Sequence, residues 1–304
     1  MSSLLECAII GGGPAGLSAA LVLGRARRRV ALFDEGEPRN AVTREAHGFL
    51  TRDGIAPAEL RRAAHEDIRK YGNVSVHRMK VAEVANERGL FRLRTEEGER
   101  FEAKKLIVAT GLKERLPAID GLRELYGRSL FSCPYCDGWE LRDQPLVVIG
   151  EQEEKAYHLA KTASQWSRNL LLCTNGSAIA EGRKRALEAN GIRWNESRIR
   201  VALGTDGILS RVIFEGGEEE PRRGGFVVTE WFQGSALAES LGCRMNEKGG
   251  IETDEFGRTS VEGVFAAGDA SVISPAQLIV AAAEGSRAAM GVNGDLIHES
   301  FLPG

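Results

Sequence analysis

The chain has 304 residues, with 40 Lys+Arg against 43 Asp+Glu and 36 glycines. That length is enough for two domains with cores of their own, and a net charge of −3 argues against a nucleic-acid or anionic-membrane partner. No apolar run reaches the ~18 residues of a membrane span, and Glu6 interrupts the apolar N-terminus, so neither a membrane helix nor a signal peptide is expected; with 5 cysteines, an odd number, the expected compartment is a reducing cytoplasm.

In chain order, residues 7–10 (Cys-Ala-Ile-Ile) read as a short buried strand, followed by Gly11, Gly13 and Gly16 in the order G-x-G-x-x-G. A helix is predicted from Pro14 to about Gly24, and a strand over 29–33 ends in Asp34 and Glu35. This is a dinucleotide-binding fingerprint. The first glycine permits the tight turn, the second lets the backbone approach a pyrophosphate, and the third lets helix pack on strand. The helix start then presents its positive dipole end to the phosphates. Asp34 stands where it can accept ribose hydroxyls, with Glu35 as the alternative. Arg25, Arg27, Arg28 and Arg29 follow the helix and read as cations complementing its C-terminus rather than as phosphate ligands.

Further along, Val108-Ala109-Thr110-Gly111 follows a predicted strand, and then comes Cys133-Pro134-Tyr135-Cys136-Asp137-Gly138. Two thiols at this spacing, with an acid beside the second, are the minimal equipment for disulfide exchange. Half of a zinc site is the competing reading, but tetrahedral zinc needs four ligands. Cys7, Cys173 and Cys243 are scattered, and the histidines at 47, 65, 77, 158 and 298 lack ligand spacing, so no metal site is expected. The three single cysteines read as small buried apolar residues. Tyr135, Trp139 and Trp231 read as buried aromatics, with a docking surface as the alternative.

A second strand–loop–helix unit is predicted to start at 146–150, but after Gly150 the loop reads Glu151-Gln152-Glu153-Glu154-Lys155. Gln152 stands where backbone would have to approach a pyrophosphate. The three glutamates compete with phosphate for the helix N-terminus. The strand over 170–173 leads into Thr174-Asn175-Gly176 without a basic pair, and Arg183, Lys184 and Arg185 fall on a predicted helix facing solvent. Near the end, Gly263-Val264-Phe265-Ala266-Ala267-Gly268-Asp269-Ala270 precedes an alanine-rich helix opened by Gln277.

Taken together, the loop at 11–16, the motif at 108–111, the dithiol at 133–138 and the motif at 263–270 resemble the low-molecular-weight thioredoxin reductases over essentially the full length. The resemblance implies an α/β fold of two Rossmann-like domains, the second inserted in the first. The FAD-binding domain would comprise residues 1–113 and 245–304. Residues 114–244 would form an inserted NAD(P)H-like domain carrying the dithiol, with crossings at 111–117 and 242–250. It implies FAD held by Gly11, Gly13, Pro14, Ala15, Gly16 and Asp34 (or Glu35), with Arg39, Asn40 and His47 along the middle of the cofactor. Gly111, Gly268, Asp269 (on the ribityl chain) and Gln277 (near the ring) complete that set. Cys136 would face the flavin, Cys133 would attack the substrate, and Asp137 would be the general acid/base. The partner would be a thioredoxin-like protein or small disulfide, and the assembly a homodimer. The loop at 150–155 departs from the family, so weak or absent NADPH binding is expected, with ferredoxin or flavodoxin as the electron donor. The CPYC form of the dithiol also resembles dithiol oxidases that return electrons to oxygen. A third reading is a flavin-binding interaction module without turnover.

Overall fold

A computed structural model describes residues 4–301. The chain divides into two compact units. The first comprises the chain up to Ala41, Gly48–Lys113 and from Phe232 onward; the second comprises Val42–His47 and Glu114–Trp231. Strands Leu112–Arg115 and Glu230–Gln233, which span the two main crossings, pair with each other.

In the first unit, strand Leu5–Ile10 lies between Val30–Phe33 and Arg100–Val108, parallel to both, and Val74–His77 extends the sheet beyond Val30–Phe33. Residues 7–10 and 106–108 and the strand Val30–Phe33 are apolar and buried, as parallel strands covered on both faces must be, while the edge strand Val74–His77 is partly exposed. The long strand Arg100–Val108 serves two partners. Its first half pairs antiparallel with Leu90–Thr95, itself paired with Val81–Glu87; its last three residues pair parallel with Val264–Ala266. Helix Pro14–Arg25 starts directly after the glycine loop, with proline in its first turn where the missing N–H costs nothing. It packs on the final helix, Leu278–Phe301, through small residues: a Cβ on Gly285 would lie 1.9 Å from the Ala15 carbonyl oxygen.

In the second unit, five parallel strands run in the order Arg193–Asn195, Leu170–Cys173, Leu146–Ile149, Gly224–Val227, Leu130–Phe131. A separate antiparallel sheet joins Ile199–Thr205, Ile208–Phe214 and Glu219–Pro221. Cys7 and Cys173 are fully buried and Cys243 nearly so.

The chain rejoins the first unit at Phe232, earlier than the expected residue 245. The reason is packing. Leu237, Ala238 and Cys243 sit in one apolar cluster with Phe33, Val84 and Leu93 of the first unit. No helix among the described residues is long and apolar enough to cross a membrane.

Candidate active site

The glycine loop of the first unit is shaped by two different demands. A Cβ on Gly11 would fall 2.1 Å from the Ala109 carbonyl oxygen, and one on Gly16 would fall 1.8 Å from the Gly11 carbonyl oxygen. Gly11 also has φ of +114°, a backbone region that disfavours side chains. The protein's own backbone therefore requires both glycines. Gly13 is different: it caps helix Pro14–Arg25, and no described atom beyond its chain neighbours lies within 4 Å of a Cβ built there. Packing leaves the bareness of Gly13 unexplained, and a phosphate approaching the helix start explains it. The loop fits the pyrophosphate of a dinucleotide.

The other residues expected around that cofactor occupy known places in the first unit. Asp34 is nearly buried; one carboxylate oxygen accepts the Gly36 N–H at 2.9 Å, the other pairs with Arg61, and His65 lies 4.0 Å away. Glu35 is exposed. The ribose acceptor expected from the sequence thus already has a cationic partner, Arg61, which the sequence reading missed because it lies 27 residues away. Arg39, in the short 3-10 turn Arg39–Val42 that includes Asn40, donates to Asp269 at 2.9 Å. Two residues expected on the cofactor, Arg39 along its middle and Asp269 on the ribityl chain, are brought together across 230 positions of sequence. Gly111 and Gly268 both take positive φ, 63° and 71°. Gln277 immediately precedes helix Leu278–Phe301, and its carbonyl accepts the Ala281 N–H at 2.9 Å. Arg25 donates to Tyr71, while Arg28 and Arg29 engage Glu6, so three of the four cations of that cluster have protein partners.

In the second unit, Cys133 and Cys136 are joined as a disulfide with Cα atoms 5.3 Å apart. The bond spans the first turn of the one-turn helix Pro134–Asp137, whose proline again occupies the start. Gly138 closes this turn because nothing larger fits: a Cβ there would lie 2.7 Å from the Trp166 ring. Tyr135 meets the same ring edge-on, centroids 5.5 Å apart. Tyr135 and Trp139 are 71% and 66% exposed, contrary to the buried reading, and Trp231 is at the border of exposure. The one-turn helix buries Pro134, and Gly138 after it, half-buries Cys136 and Asp137, and leaves Tyr135 exposed. Trp139 is instead covered in part by the Arg142 guanidinium, 4.1 Å from its ring centre.

Asp137 ends the dithiol helix and is partly buried. Burial is the main cause that raises its pKa, to about 7; the Glu140 carboxylate adds to the rise, and His47 opposes it. His47 was expected beside the cofactor. It belongs to the segment Val42–His47 of the second unit, where Nε2 lies 3.6 Å from Glu45 and 3.7 Å from Glu140. That segment is held against Gly127: a Cβ there would lie 2.5 Å from the Val42 carbonyl oxygen, and φ is +78°.

The loop at 150–155 is tied down by its own side chains. Gly150 survives because a Cβ would lie 2.6 Å from Val228 and 3.0 Å from Ala156. Glu153, in the first turn of helix Glu153–Ala163, pairs with Arg183 and accepts the Ala180 N–H at 3.4 Å. Arg183 also reaches Glu154 at 3.4 Å and lies over the Tyr157 ring. The sequence reading put Arg183 in solvent; it is a half-buried clamp on the loop. Lys184 is likewise engaged, with Glu181 and Glu196 at 3.2 Å each, while Arg185 is exposed. After the strand Leu170–Cys173, where the sequence lacks a basic pair, Asn175 donates to the Glu151 carboxylate at 2.9 Å and Ser177 to the Glu151 carbonyl at 2.6 Å.

The family model for pyridine nucleotide-disulphide oxidoreductases matches residues 5–285. The thioredoxin reductase sirT of Leptosphaeria maculans is 32% identical over 310 residues, covering 96% of this chain and 94% of that protein. A protein of Arthroderma benhamiae is 42% identical over a shorter stretch of 151 residues, which spans 48% of this chain and 37% of that relative. Among solved structures, TrxB from Bacillus anthracis superposes with a TM-score of 0.95 at 41% identity, covering 98% of this chain and 100% of that one.

Proposed function

Because the chain belongs to the pyridine nucleotide-disulphide oxidoreductase family, we propose that it moves electron pairs between FAD and the Cys133–Cys136 disulfide, and from there to or from a second disulfide. The observation that carries this reading is the disulfide itself, closed across a one-turn helix whose last residue is an acid poised near neutrality. FAD, bound by the loop at 11–16 and by the region of Asp34, Arg39 and Asp269, supplies two-electron chemistry that no amino-acid side chain offers. In the reduced enzyme, Cys133 attacks the partner disulfide and Cys136 resolves the resulting mixed disulfide. Asp137 holds or gives the proton that a leaving sulfur needs. A carboxyl with a pKa near 7 is half-protonated at neutral pH, so it serves as acid and base with similar ease.

The electron source in this reading is a donor other than NADPH, such as ferredoxin or flavodoxin. Support comes from the loop at 150–155, where Glu153, Arg183 and Glu154 satisfy one another and Gln152 replaces the glycine that would let backbone approach a phosphate. The partner is a thioredoxin-like protein or a small disulfide, with exposed Tyr135, between the two cysteines, and Trp139, three residues after the second, as the surface it meets. The same closed loop favours one second reading, a dithiol oxidase. There electrons enter at Cys133 and Cys136 and leave to oxygen, so no nucleotide donor is needed. Oxygen uptake in the presence of a dithiol separates the two. Brisk peroxide formation would select the oxidase, and its absence alongside anaerobic disulfide reduction would select the reductase.

A further inference from the structure

We propose that His47 is a positioning residue for the dithiol chemistry, returning to Asp137 each proton that Asp137 gives to a leaving sulfur. The inference rests on the disulfide-exchange reading above and adds to it a residue outside the dithiol segment.

The arrangement is graded from solvent inward. Glu45 and Glu140 have side chains 60% and 39% exposed, and both carboxylates lie within 4 Å of His47 Nε2, whose side chain is 16% exposed. Glu140 stands three residues after Asp137, and Asp137 ends the helix that carries the disulfide. Asp137 feels two outside charges, His47 and Glu140, acting in opposite directions. A partly buried carboxyl that has given up its proton needs a route for replacement. Histidine is the side chain suited to pass protons near neutral pH, and here two carboxylates open to solvent can supply it. The segment carrying His47 leaves the first unit for six residues, Val42–His47, before the chain returns. That excursion places His47 in the same unit as the dithiol.

The step balances as follows. The Cys133 thiolate forms a bond to one sulfur of the partner disulfide, and the partner's S–S bond breaks. The departing sulfur takes the proton of Asp137. Cys136 then bonds to Cys133, releasing the second partner sulfur, which takes a second proton by the same route. The two protons are those lost by the Cys133 and Cys136 thiols; His47 passes them back to Asp137, and the electron pair ends on the partner's two sulfurs. Glu45, Glu140 and Asp137 are the titratable groups facing His47 in this path.

The test uses leaving-group chemistry. An alkyl thiolate needs a proton as it departs, whereas an aryl thiolate of low pKa leaves without one. Reduced holoenzyme is mixed anaerobically with oxidised glutathione or with an aryl disulfide such as 5,5′-dithiobis(2-nitrobenzoate), and single-turnover exchange is followed from pH 5.5 to 9. For His47→Asn, exchange with glutathione disulfide slows about 10-fold or more at neutral pH, while aryl exchange changes less than about 2-fold. The pH at which the alkyl reaction falls off moves up in His47→Asn and down in Glu140→Gln, because the two charges push Asp137 oppositely. Equal slowing of both disulfides, or an unchanged alkyl rate, would overturn the role of His47, as would shifts of the same sign in the two variants. Failure of the wild-type dithiol with both disulfides would instead sink the underlying oxidoreductase reading, and the role of His47 with it.

Discussion

Two loops in this chain occupy the same place in equivalent units, each after a buried parallel strand and at the start of a helix, yet their surroundings differ. At 11–16 the protein fills the space around Gly11 and Gly16 with its own backbone and leaves Gly13 bare. At 150–155 it ties the loop down with side chains: Glu153 on Arg183, Arg183 on Glu154, Asn175 and Ser177 on Glu151. In the proposed reading the first leaves room for a dinucleotide phosphate, and the second is held by its own side chains. A motif therefore reports function through the space it leaves as much as through its letters.

The largest effect should separate the glycines of the open loop. Gly16→Val drives a side chain into the Gly11 carbonyl and should abolish soluble expression or lower the melting temperature by well over ~5 °C. Gly13→Val has room and should leave the melting temperature of the FAD-free protein nearly unchanged, while purified protein loses its flavin absorbance. If Gly13→Val retained full FAD, the open space would have some other cause.

Next in size is Asp137→Asn. Single-turnover reduction of an alkyl disulfide should fall on the order of 100-fold, and the wild-type rate should fall as Asp137 ionises above its pKa of about 7. The sign for stability follows from the same raised value. The folded chain holds this proton more tightly than the unfolded chain, whose carboxyl has the ordinary value of 3.8, so the wild type loses stability relative to Asp137→Asn as pH rises from about 4 to about 7. Partial exposure limits the difference to on the order of 1–2 kcal/mol, measurable by urea titration at the two ends of that range. A difference growing in the opposite direction would contradict the burial argument.

The smallest effect belongs to the closed loop. Glu153→Ala leaves Arg183 with Glu154 and the Tyr157 ring, and the pair it breaks is partly exposed, so stability should fall by no more than ~1 kcal/mol. That variant alone should not create a nucleotide site in the proposed reading, because Gln152 still stands in place of the glycine that lets backbone approach a phosphate. Detectable NADPH binding by calorimetry after this one change would mean the carboxylate clamp, rather than the missing glycine, keeps the nucleotide out.

Local signals were legible in the sequence where one residue type serves one purpose. The glycine spacing at 11–16, the strand and helix around it, the dithiol and Asp137, and the glutamates at 151, 153 and 154 all lie within short windows. What stayed hidden depends on residues distant along the chain. Arg61 on Asp34, Arg39 on Asp269 and Arg183 on Glu153 are pairs separated by 27, 230 and 30 positions. The early return at Phe232 was invisible because Leu237, Ala238 and Cys243 are too few apolar residues to announce a core contribution. The family resemblance implies that His47 lies along the cofactor; the six-residue excursion that carries it to Glu140 has no compositional mark. Tyr135 and Trp139 were misread because aromatic residues usually bury themselves, a rule that a one-turn helix beside a disulfide does not obey.

The contrast between a loop shaped for a ligand and a loop closed on itself is tested most directly by which reductant reaches the flavin. Oxygen-free holoenzyme is mixed separately with NADPH, NADH and reduced ferredoxin, and the flavin absorbance is followed in time. The expected result is bleaching by reduced ferredoxin, with the flavin left oxidised by either nicotinamide nucleotide. Rapid, stoichiometric bleaching at micromolar NADPH would contradict it, and would mean that the clamp of Glu153 and Arg183 opens to admit the nucleotide.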